Sequence, residues 1–325
     1  KRGNNLINSN LKYRSYILTA GTLTNKNILR KILSIFIIFY SLLRSIVILR
    51  KEKADLIIGL GGYVSFPISF ISQFLGVPLV IYENNLVLGR ANKYLLSSAK
   101  KIFLAKTIKK NFPIKYKNKI REVGSILHKD IINYSKFKKN KKEENFSILI
   151  LGGSQGAVNF GKIIPPVMKM IKDKGFDIEI NQQCLKHQKN SLSDFYRQNK
   201  IKSNIFEFEK DILSLLLSTD LAISRCGAST LGELIYTRTP FIAVPYPFST
   251  DNHQYLNAKY FSEKNYCWLI EESGLNNKIL FNLIHEIILD KSKLKSMKNS
   301  ITESYRKNAY REVEDIVKGI FKNEN

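Results

Sequence analysis

At 325 residues the chain is long enough for two domains with cores of their own, and 52 Lys and Arg against 27 Asp and Glu give it a net charge of +25 at neutral pH. That charge attracts anionic lipid or a diphosphate substrate, but the lysines are spread along the chain and form no basic helix of DNA-binding type, so no nucleic-acid partner is expected. Cys184, Cys226 and Cys267 have no paired spacing and no Asp-x-Asp triplet occurs, so neither disulfides nor a bound metal or other cofactor is expected, and a reducing cytoplasm fits.

The first element in chain order is an apolar segment, Ile28 to Lys53, in which Ile32–Leu43 and Ser45–Leu49 are separated by Arg44. A spanning helix wants about 20 apolar residues, and a charge near the middle argues against spanning. Two readings stay open: a helix packed on the sheet of the first domain, or one lying in an anionic membrane surface with Arg30, Lys31, Arg50, Lys51 and Lys53 on the headgroups. Ala54–Ile58 then reads as a strand that ends in the glycine loop Gly59–Ser65, and Pro78–Tyr82 as a strand that delivers Glu83, Asn84 and Asn85 to its carboxyl end. In open parallel sheets ligands bind at such ends. Ser135–Asn145 is charged and nearly free of apolar residues, which predicts an exposed linker, with a phosphate-binding lysine run as the competing reading. Ser147–Leu151 predicts a buried strand, and Gly152-Gly153-Ser154-Gln155-Gly156-Ala157 follows it, either as a loop whose amides approach an anionic ligand or as a tight strand-to-helix turn; it is neither the Walker pattern nor the full dinucleotide fingerprint. Strands alternate with helical stretches through Trp268–Ile270, and from Lys278 the pattern is helical, which predicts a doubly wound α/β class. No internal repeat and no secretory signal is seen.

The densest block runs from Ser224 to Asn257. Asp220–Ile223 predicts a strand, Gly227 a turn, and Ala228, Ser229 and Thr230 the start of a helix, whose unpaired N–H groups and positive dipole end favour a diphosphate. Glu233 falls on the same helix face as Ser229 and Thr230, where its oxygens could accept both hydroxyls of a ribose. The competing reading is a capping box, with Ser229 or Thr230 as the cap and Glu233 completing it. Pro245-Tyr246-Pro247 ends the next strand, and Asp251, His253, Gln254 and Asn257 crowd behind it, either to bind sugar hydroxyls or to cap a helix.

Four motifs in order, Gly59-x-Gly-Gly-Tyr-x-Ser65, Glu83-x-Asn85 with Gly89, Asn92 and Lys93, Gly152-Gly-Ser-Gln-Gly-Ala157 with Asn159, and the Ser224–Asn257 block, resemble the MurG family from about residue 20 onward. These bacterial enzymes transfer N-acetylglucosamine from UDP-N-acetylglucosamine to the undecaprenyl-diphosphate muramoyl-pentapeptide lipid of peptidoglycan synthesis. The resemblance implies two Rossmann-like domains facing across a cleft, the glycosyltransferase-B arrangement, and an inverting transfer to the muramoyl 4-hydroxyl. It implies an acceptor and membrane domain over 1–134, the linker over 135–145, a UDP-sugar domain over 146–305, and a last helix over 306–325 packing back on the first domain. Carried over, Asn85, His128, Ser154, Gln155, Gly156, Glu209, Ala228, Ser229, Thr230, Leu231, Glu233 and Gln254 would meet the nucleotide sugar, and Gly61, Gly62, Tyr63, Ser65 and Asn92 the acceptor.

The family opens with another glycine loop ending in a histidine, and Lys1 begins after it, so an N-terminally truncated chain is expected, with Glu83 as the remaining acid or base candidate. His128 stands where the family usually has an arginine, and lacks its bidentate fork and permanent charge. The implied partners are the nucleotide sugar, the lipid acceptor, an anionic membrane touched through Ile28–Lys53, and other cell-wall synthesis proteins, at the cytoplasmic face of the plasma membrane. Three rivals stay open: a UDP-N-acetylglucosamine 2-epimerase, which shares the architecture, a catalytically impaired binding fragment, and a polyanion-binding protein, which would account for the charge but not for the four motifs.

Overall fold

The computed structural model describes residues 13–19, 21, 27–106, 108, 112–133, 145–301 and 308–322; within these, the side chains of 154–157 and 322 lie outside the description. The linker expected over 135–145 lies outside the described residues except for Asn145. The chain forms two compact units. One is built on residues up to Glu83, Leu88–Phe103 and the stretch ending at Arg121; the other on Asn84–Val87, the stretch from Leu104, and Glu122 onward.

The first unit holds α1 (Ile28–Glu52), β1 (Ile57–Gly59), α2 (Gly62–Ser72), β2 (Leu79–Glu83), α3 (Arg90–Leu95), β3 (Ala99–Leu104) and β4 (Ile120–Glu122), the last two each running one residue past its boundary. Its sheet has the order β1-β2-β3-β4, with Ile57 beside Leu79 and Gly59 beside Ile81 in a parallel pair. Every residue of β2 is buried, as a strand covered on both faces requires.

Helix α1 is amphipathic in an inverted sense. Its buried stripe is Ser34, Ser41, Ser45, Ile48 and Leu49, at helical spacing, while Ile32, Leu33, Ile35, Phe36, Phe39, Tyr40, Leu43 and Val47 are exposed. The hidden hydroxyls are satisfied locally: Ser34 and Ser45 donate to the carbonyls of Arg30 and Ser41, and Ser41 Oγ donates to Thr19 O at 2.7 Å. Small serines let the helix sit close on Thr19 and Gly21, where a Cβ on Gly21 would stand 2.5 Å from Ser34 O, so the bulky apolar face points outward. Of the two readings of Ile28–Lys53, packing in the core is therefore ruled out for Phe36 and Phe39, which are 67% and 59% exposed.

The second unit holds α4 (Lys129–Ile132), β5 (Phe146–Leu151), α5 (Gly153–Asp173), β6 (Ile178–Gln183), α6 (Lys189–Gln198), β7 (Lys202–Phe206), α7 (Ile212–Ser218), β8 (Leu221–Ser224), α8 (Ala228–Tyr236), β9 (Phe241–Ala243), α9 (His253–Ser262), β10 (Trp268–Leu269), α10 (Asn277–Leu289), α11 (Ser292–Ser300) and α12 (Ala309–Lys322). Its six strands are all parallel, in the order β10-β9-β8-β5-β6-β7. Strand periodicity sends alternate side chains to opposite faces. Ile148 and Ile150 join Phe160, Ile164 and Ile284 on one side, and Leu149 and Leu151 join Leu231, Leu234 and Ala258 on the other. Helices thus cover both faces, and the glycine turns and helix starts gather at the carboxyl edge.

The boundary expected at residue 134 falls earlier. Ile131 and Leu127 pack with Leu213 and Tyr236 in one apolar cluster, which binds α4 to the second unit, and Tyr236 Oη donates to Ile132 O at 3.1 Å. Helix α12 meets the same segment, with Tyr310 Oη donating to Leu127 O at 2.9 Å.

Candidate functional site

A cavity of about 690 Å³ opens in the second unit at the carboxyl edge of its sheet. Gly152 and Gly153 after β5, Gln183 at the end of β6, Phe208 and Glu209 after β7, Gly227, Thr230 and Glu233 after β8, and Tyr246, Phe248 and Gln254 after β9 line it, with His128 at one side. The strand ends build it because loops of a parallel sheet converge there.

Helix α8 supplies the most directed group of atoms. Gly227 is its N-cap and makes no side-chain capping bond, and the first intrahelical bond is Leu231 N–H to Gly227 O at 3.0 Å. The N–H groups of Ala228, Ser229 and Thr230 are left without intrahelical acceptors, at the positive end of the dipole. The capping-box reading therefore fails: Ser229 and Thr230 lie inside the helix, and Ser229 Oγ accepts from Asn84 Nδ2 at 3.3 Å. Glu233 lies one turn on, at the cavity wall, where burial raises its carboxyl to about 7.

Gln254 is fixed by its carbonyl end. Oε1 accepts the backbone N–H of Cys226 at 3.0 Å and of Tyr246 at 2.9 Å, so Nε2 is the end that can donate to a ligand oxygen. Gly153 N–H donates to Gln183 Oε1 at 3.0 Å, which pins the glycine turn after β5. Glu209 Oε1 accepts from Asp211 N–H at 2.8 Å, and His128 Nδ1 lies 3.1 Å from Asp130 Oδ2, both at the cavity wall. At the cavity wall, Arg225 pairs with Glu272 at 2.5 Å and lies against the rings of Phe160 and Tyr246.

Not every residue expected at the nucleotide sugar faces this cavity. Leu231 is 1% exposed in the apolar core and its N–H is spent on Gly227, so it offers a ligand nothing; with Ala228 it borders a separate void of about 40 Å³. Asn85 Oδ1 accepts from Asn257 Nδ2 at 3.2 Å, and Leu86 N–H donates to Asn257 Oδ1 at 2.9 Å, which ties this segment to α9. Ser154, Gln155 and Gly156 fall in the first turn of α5, and their side chains lie outside the described residues. Gln183 and Phe208 lie outside the four motifs, and Arg225, Tyr246 and Phe248 lie inside the Ser224–Asn257 block but are given no role at the nucleotide sugar by the motifs. The signal that marks Gln183 and Arg225 is position at a strand's carboxyl end; for Phe208 and Phe248 it is a large aromatic within a polar loop.

In the first unit the glycine loop is held from below. Gly61 and Gly62 take φ of 79° and 77°, a region that favours glycine, and a Cβ on Gly61 would stand 3.2 Å from Asn92 Nδ2. Tyr63 is exposed at the start of α2, and Ser65 Oγ donates to Gly61 O at 2.6 Å. Asn92 itself is buried and donates to Tyr82 O and to Glu83 Oε2, both at 3.0 Å, so it supports the loop from beneath instead of presenting its amide to an acceptor. Glu83 is buried too, and the same Oε2 accepts Gly89 N–H at 2.8 Å, a bond that sets the turn into α3. Among the described residues no group of three or more His, Cys, Asp or Glu stands close enough to hold a metal ion.

The family models and the sequence relatives agree on one family, and the solved structures share its fold. The Glycosyltransferase family 28 C-terminal domain matches residues 147–313, and the family 28 N-terminal domain matches residues 3–104. The UDP-N-acetylglucosamine–N-acetylmuramyl-(pentapeptide) pyrophosphoryl-undecaprenol N-acetylglucosamine transferase of Pelagibacter ubique is 36% identical over 279 residues, covering 85% of this chain and 78% of the relative. The crystal structure of Acinetobacter baumannii MurG superposes with a TM-score of 0.71 at 23% identity, covering 92% of this chain and 83% of that one. A putative UDP-N-acetylglucosamine 2-epimerase from Listeria monocytogenes superposes at 0.64 with 12% identity, covering 93% and 82%, which shows a shared fold alone. With both domain matches, and a relative above 30% identity over more than three quarters of its length, the chain belongs to glycosyltransferase family 28 and within it to the MurG family.

Proposed function

We propose that the chain transfers N-acetylglucosamine from UDP-N-acetylglucosamine to the muramoyl 4-hydroxyl of an undecaprenyl-diphosphate-linked muramoyl-pentapeptide, with inversion at the anomeric carbon and release of UDP. The observation that carries this reading is the mouth of α8, where Gly227, Thr230 with an N–H that has no intrahelical acceptor, Glu233 and Gln254 line one cavity. At about 690 Å³ the cavity is of the size that holds a nucleotide sugar.

In this reading Glu233 accepts the ribose hydroxyls, the α8 amides and the Gly152–Gly153 turn take the diphosphate, Phe208 lies against the base, and Gln254 Nε2 donates to the sugar. The acceptor hydroxyl attacks the anomeric carbon as the bond to the diphosphate breaks. Negative charge then builds on the leaving oxygen, and the α8 dipole and amides hold that charge more tightly than they hold the ground state. The acceptor's own diphosphate goes to the Gly61–Gly62 loop and the start of α2. Glu83 acts there through the loop it fixes, as a positioning residue.

The outward face of α1 supports peripheral binding at the cytoplasmic surface of the membrane, where the acceptor's lipid tail resides. By length and composition α1 could cross a bilayer. Its serine stripe is packed on the first unit and Arg44 is exposed midway, which favours lying in the interface.

The test follows labelled N-acetylglucosamine from UDP-N-acetylglucosamine into the lipid acceptor. Incorporation is expected, with equimolar UDP release. Turnover to a 2-epimer without acceptor, or no turnover by a chain that binds UDP, would reject the transferase reading.

A further inference from the structure

One ion pair spans the carboxyl ends of four neighbouring strands. In the sheet order β10-β9-β8-β5, Glu272 lies in the turn after β10, Val244 and Pro245 follow β9, Arg225 follows β8, and Asn159 and Phe160 lie on α5 after β5. The two oxygens of Glu272 divide their work: Oε2 accepts from Arg225 Nη1 and Oε1 from Asn159 Nδ2, each at 2.5 Å. Arg225 Nη1 also reaches Val244 O at 3.4 Å and Pro245 O at 3.3 Å, and its guanidinium centre lies 4.5 Å from the Phe160 ring and 5.6 Å from that of Tyr246. The Arg225 side chain is 6% exposed and that of Glu272 18%, so this is a charge pair largely withdrawn from water.

We infer that Glu272 is a positioning residue for nucleotide-sugar binding: by clamping Arg225 and Asn159 it sets the spacing of the three loops that face the cavity. Those loops are the Gly152–Gly153 turn before Asn159, the Cys226–Gly227 turn after Arg225, and the Tyr246–Gln254 segment after Pro245. Glu272 does not itself line the cavity, and no motif contains it. A buried arginine whose carboxylate is removed must move to find solvent or another acceptor, and the loops on either side move with it. A shift of about 1 Å at a distance from the chemistry costs about 100-fold in rate.

This role presupposes a UDP-sugar in the cavity, so the experiment starts with UDP binding to the wild-type chain by calorimetry; no binding at millimolar UDP would reject the reading of the cavity itself. Glu272→Gln is then compared with Ile284→Val, a core change in α10 away from the cavity, with thermal unfolding measured on both. Expected is a UDP affinity at least about tenfold weaker in Glu272→Gln and unchanged in Ile284→Val. Asn159→Ala should weaken UDP about threefold, and the double variant should be no weaker than Glu272→Gln alone, because both act through one clamp. Glu272→Gln binding UDP within twofold of wild type, a loss equal to that of the core control, or additive losses in the double variant would each overturn the inference. Should Glu272→Gln not fold, Asn159→Ala decides: unchanged UDP affinity there overturns it.

Discussion

Gln254 Oε1 receives two backbone N–H groups from different loops, Cys226 at 3.0 Å and Tyr246 at 2.9 Å, so one side-chain oxygen joins the start of α8 to the turn after β9. Its partner atom Nε2 is thereby committed to donation. Gln254→Glu keeps an acceptor for both N–H groups and removes the donor. The variant should melt within about 2 °C of the parent, since surface-type polar swaps that keep their bonds cost little. Its affinity for UDP should fall because the new carboxylate repels the diphosphate, and that for UDP-N-acetylglucosamine should fall at least about tenfold further. Calorimetry with both ligands reads the ratio; an equal loss for both would place Gln254 on the nucleotide and not on the sugar.

Glu233 should make both stability and UDP binding depend on pH. Burial raises its carboxyl to about 7 from the ordinary 4.5, so the folded state favours the neutral form. The stabilisation is whole below about 4.5 and is lost as pH rises through 7, up to about 3 kcal/mol before solvent in the cavity screens part of it. Glu233→Gln should therefore lose less stability than the parent between pH 5 and 8.5 in urea titrations. Ribose hydroxyls donate to the ionised form, so UDP binding at pH 6.5 should release more protons in the parent than in the variant, where only the terminal phosphate of UDP, with a second pKa of about 6, titrates. Proton release that is the same in parent and variant, read from binding enthalpies in buffers of different ionisation heat, would remove Glu233 from the ribose.

Phe36 and Phe39 on α1 should act on membrane binding without acting on folding. Both are exposed, so replacing them with Ser removes little buried area, and the melting temperature should move by about 1 °C or less. Co-sedimentation with anionic vesicles should fall at least about tenfold. Ser41→Leu is the converse: it forces bulk into the fully buried serine stripe and should destabilise by about 1–3 kcal/mol. Unfolding of the Phe variant, or undiminished vesicle binding, would reject the membrane assignment of that face.

Glu83 separates two roles through one substitution. Its Oε2 accepts from Gly89 N–H and Asn92 Nδ2, bonds that the carbonyl of a glutamine can accept in its place. If Glu83 positions the loop, Glu83→Gln should retain kcat within about tenfold, whereas Glu83→Ala should lose about 1–3 kcal/mol of stability from the unsatisfied donors. A fall of kcat by about 100-fold or more in Glu83→Gln, with the fold intact, would make the carboxylate an acid or base of the reaction.

The glycine turns and strand ends were legible because a buried parallel strand announces itself as a short apolar run and its turn as glycine. Phe146–Leu151 and Leu221–Ser224 begin or end within one residue of the expected strands. What spacing could not supply was which residue caps α8. Ser229, Thr230 and Glu233 fit a capping box and a phosphate site equally well, and only the backbone at Gly227 separates them. Leu231 shares the motif but not the surface, because helical rotation carries it into the core. The serines of α1 misled in the other direction: hydropathy marks the helix without saying that its polar residues face inward. Arg225, Glu272 and Asn159 meet from far apart in sequence, so no local pattern could join them.

Bound to the bilayer as proposed, the outward apolar face of α1 would also change the geometry of encounter. A transferase free in the cytosol would search three dimensions for an acceptor confined to a sheet of lipid. One held in that sheet by α1 searches an area, and its effective concentration toward the acceptor is set by how many lipids share the leaflet, not by the volume of the cell. Diluting the acceptor with inert lipid should then slow turnover as strongly as removing acceptor does, while enlarging the aqueous volume leaves the rate of bound enzyme unchanged.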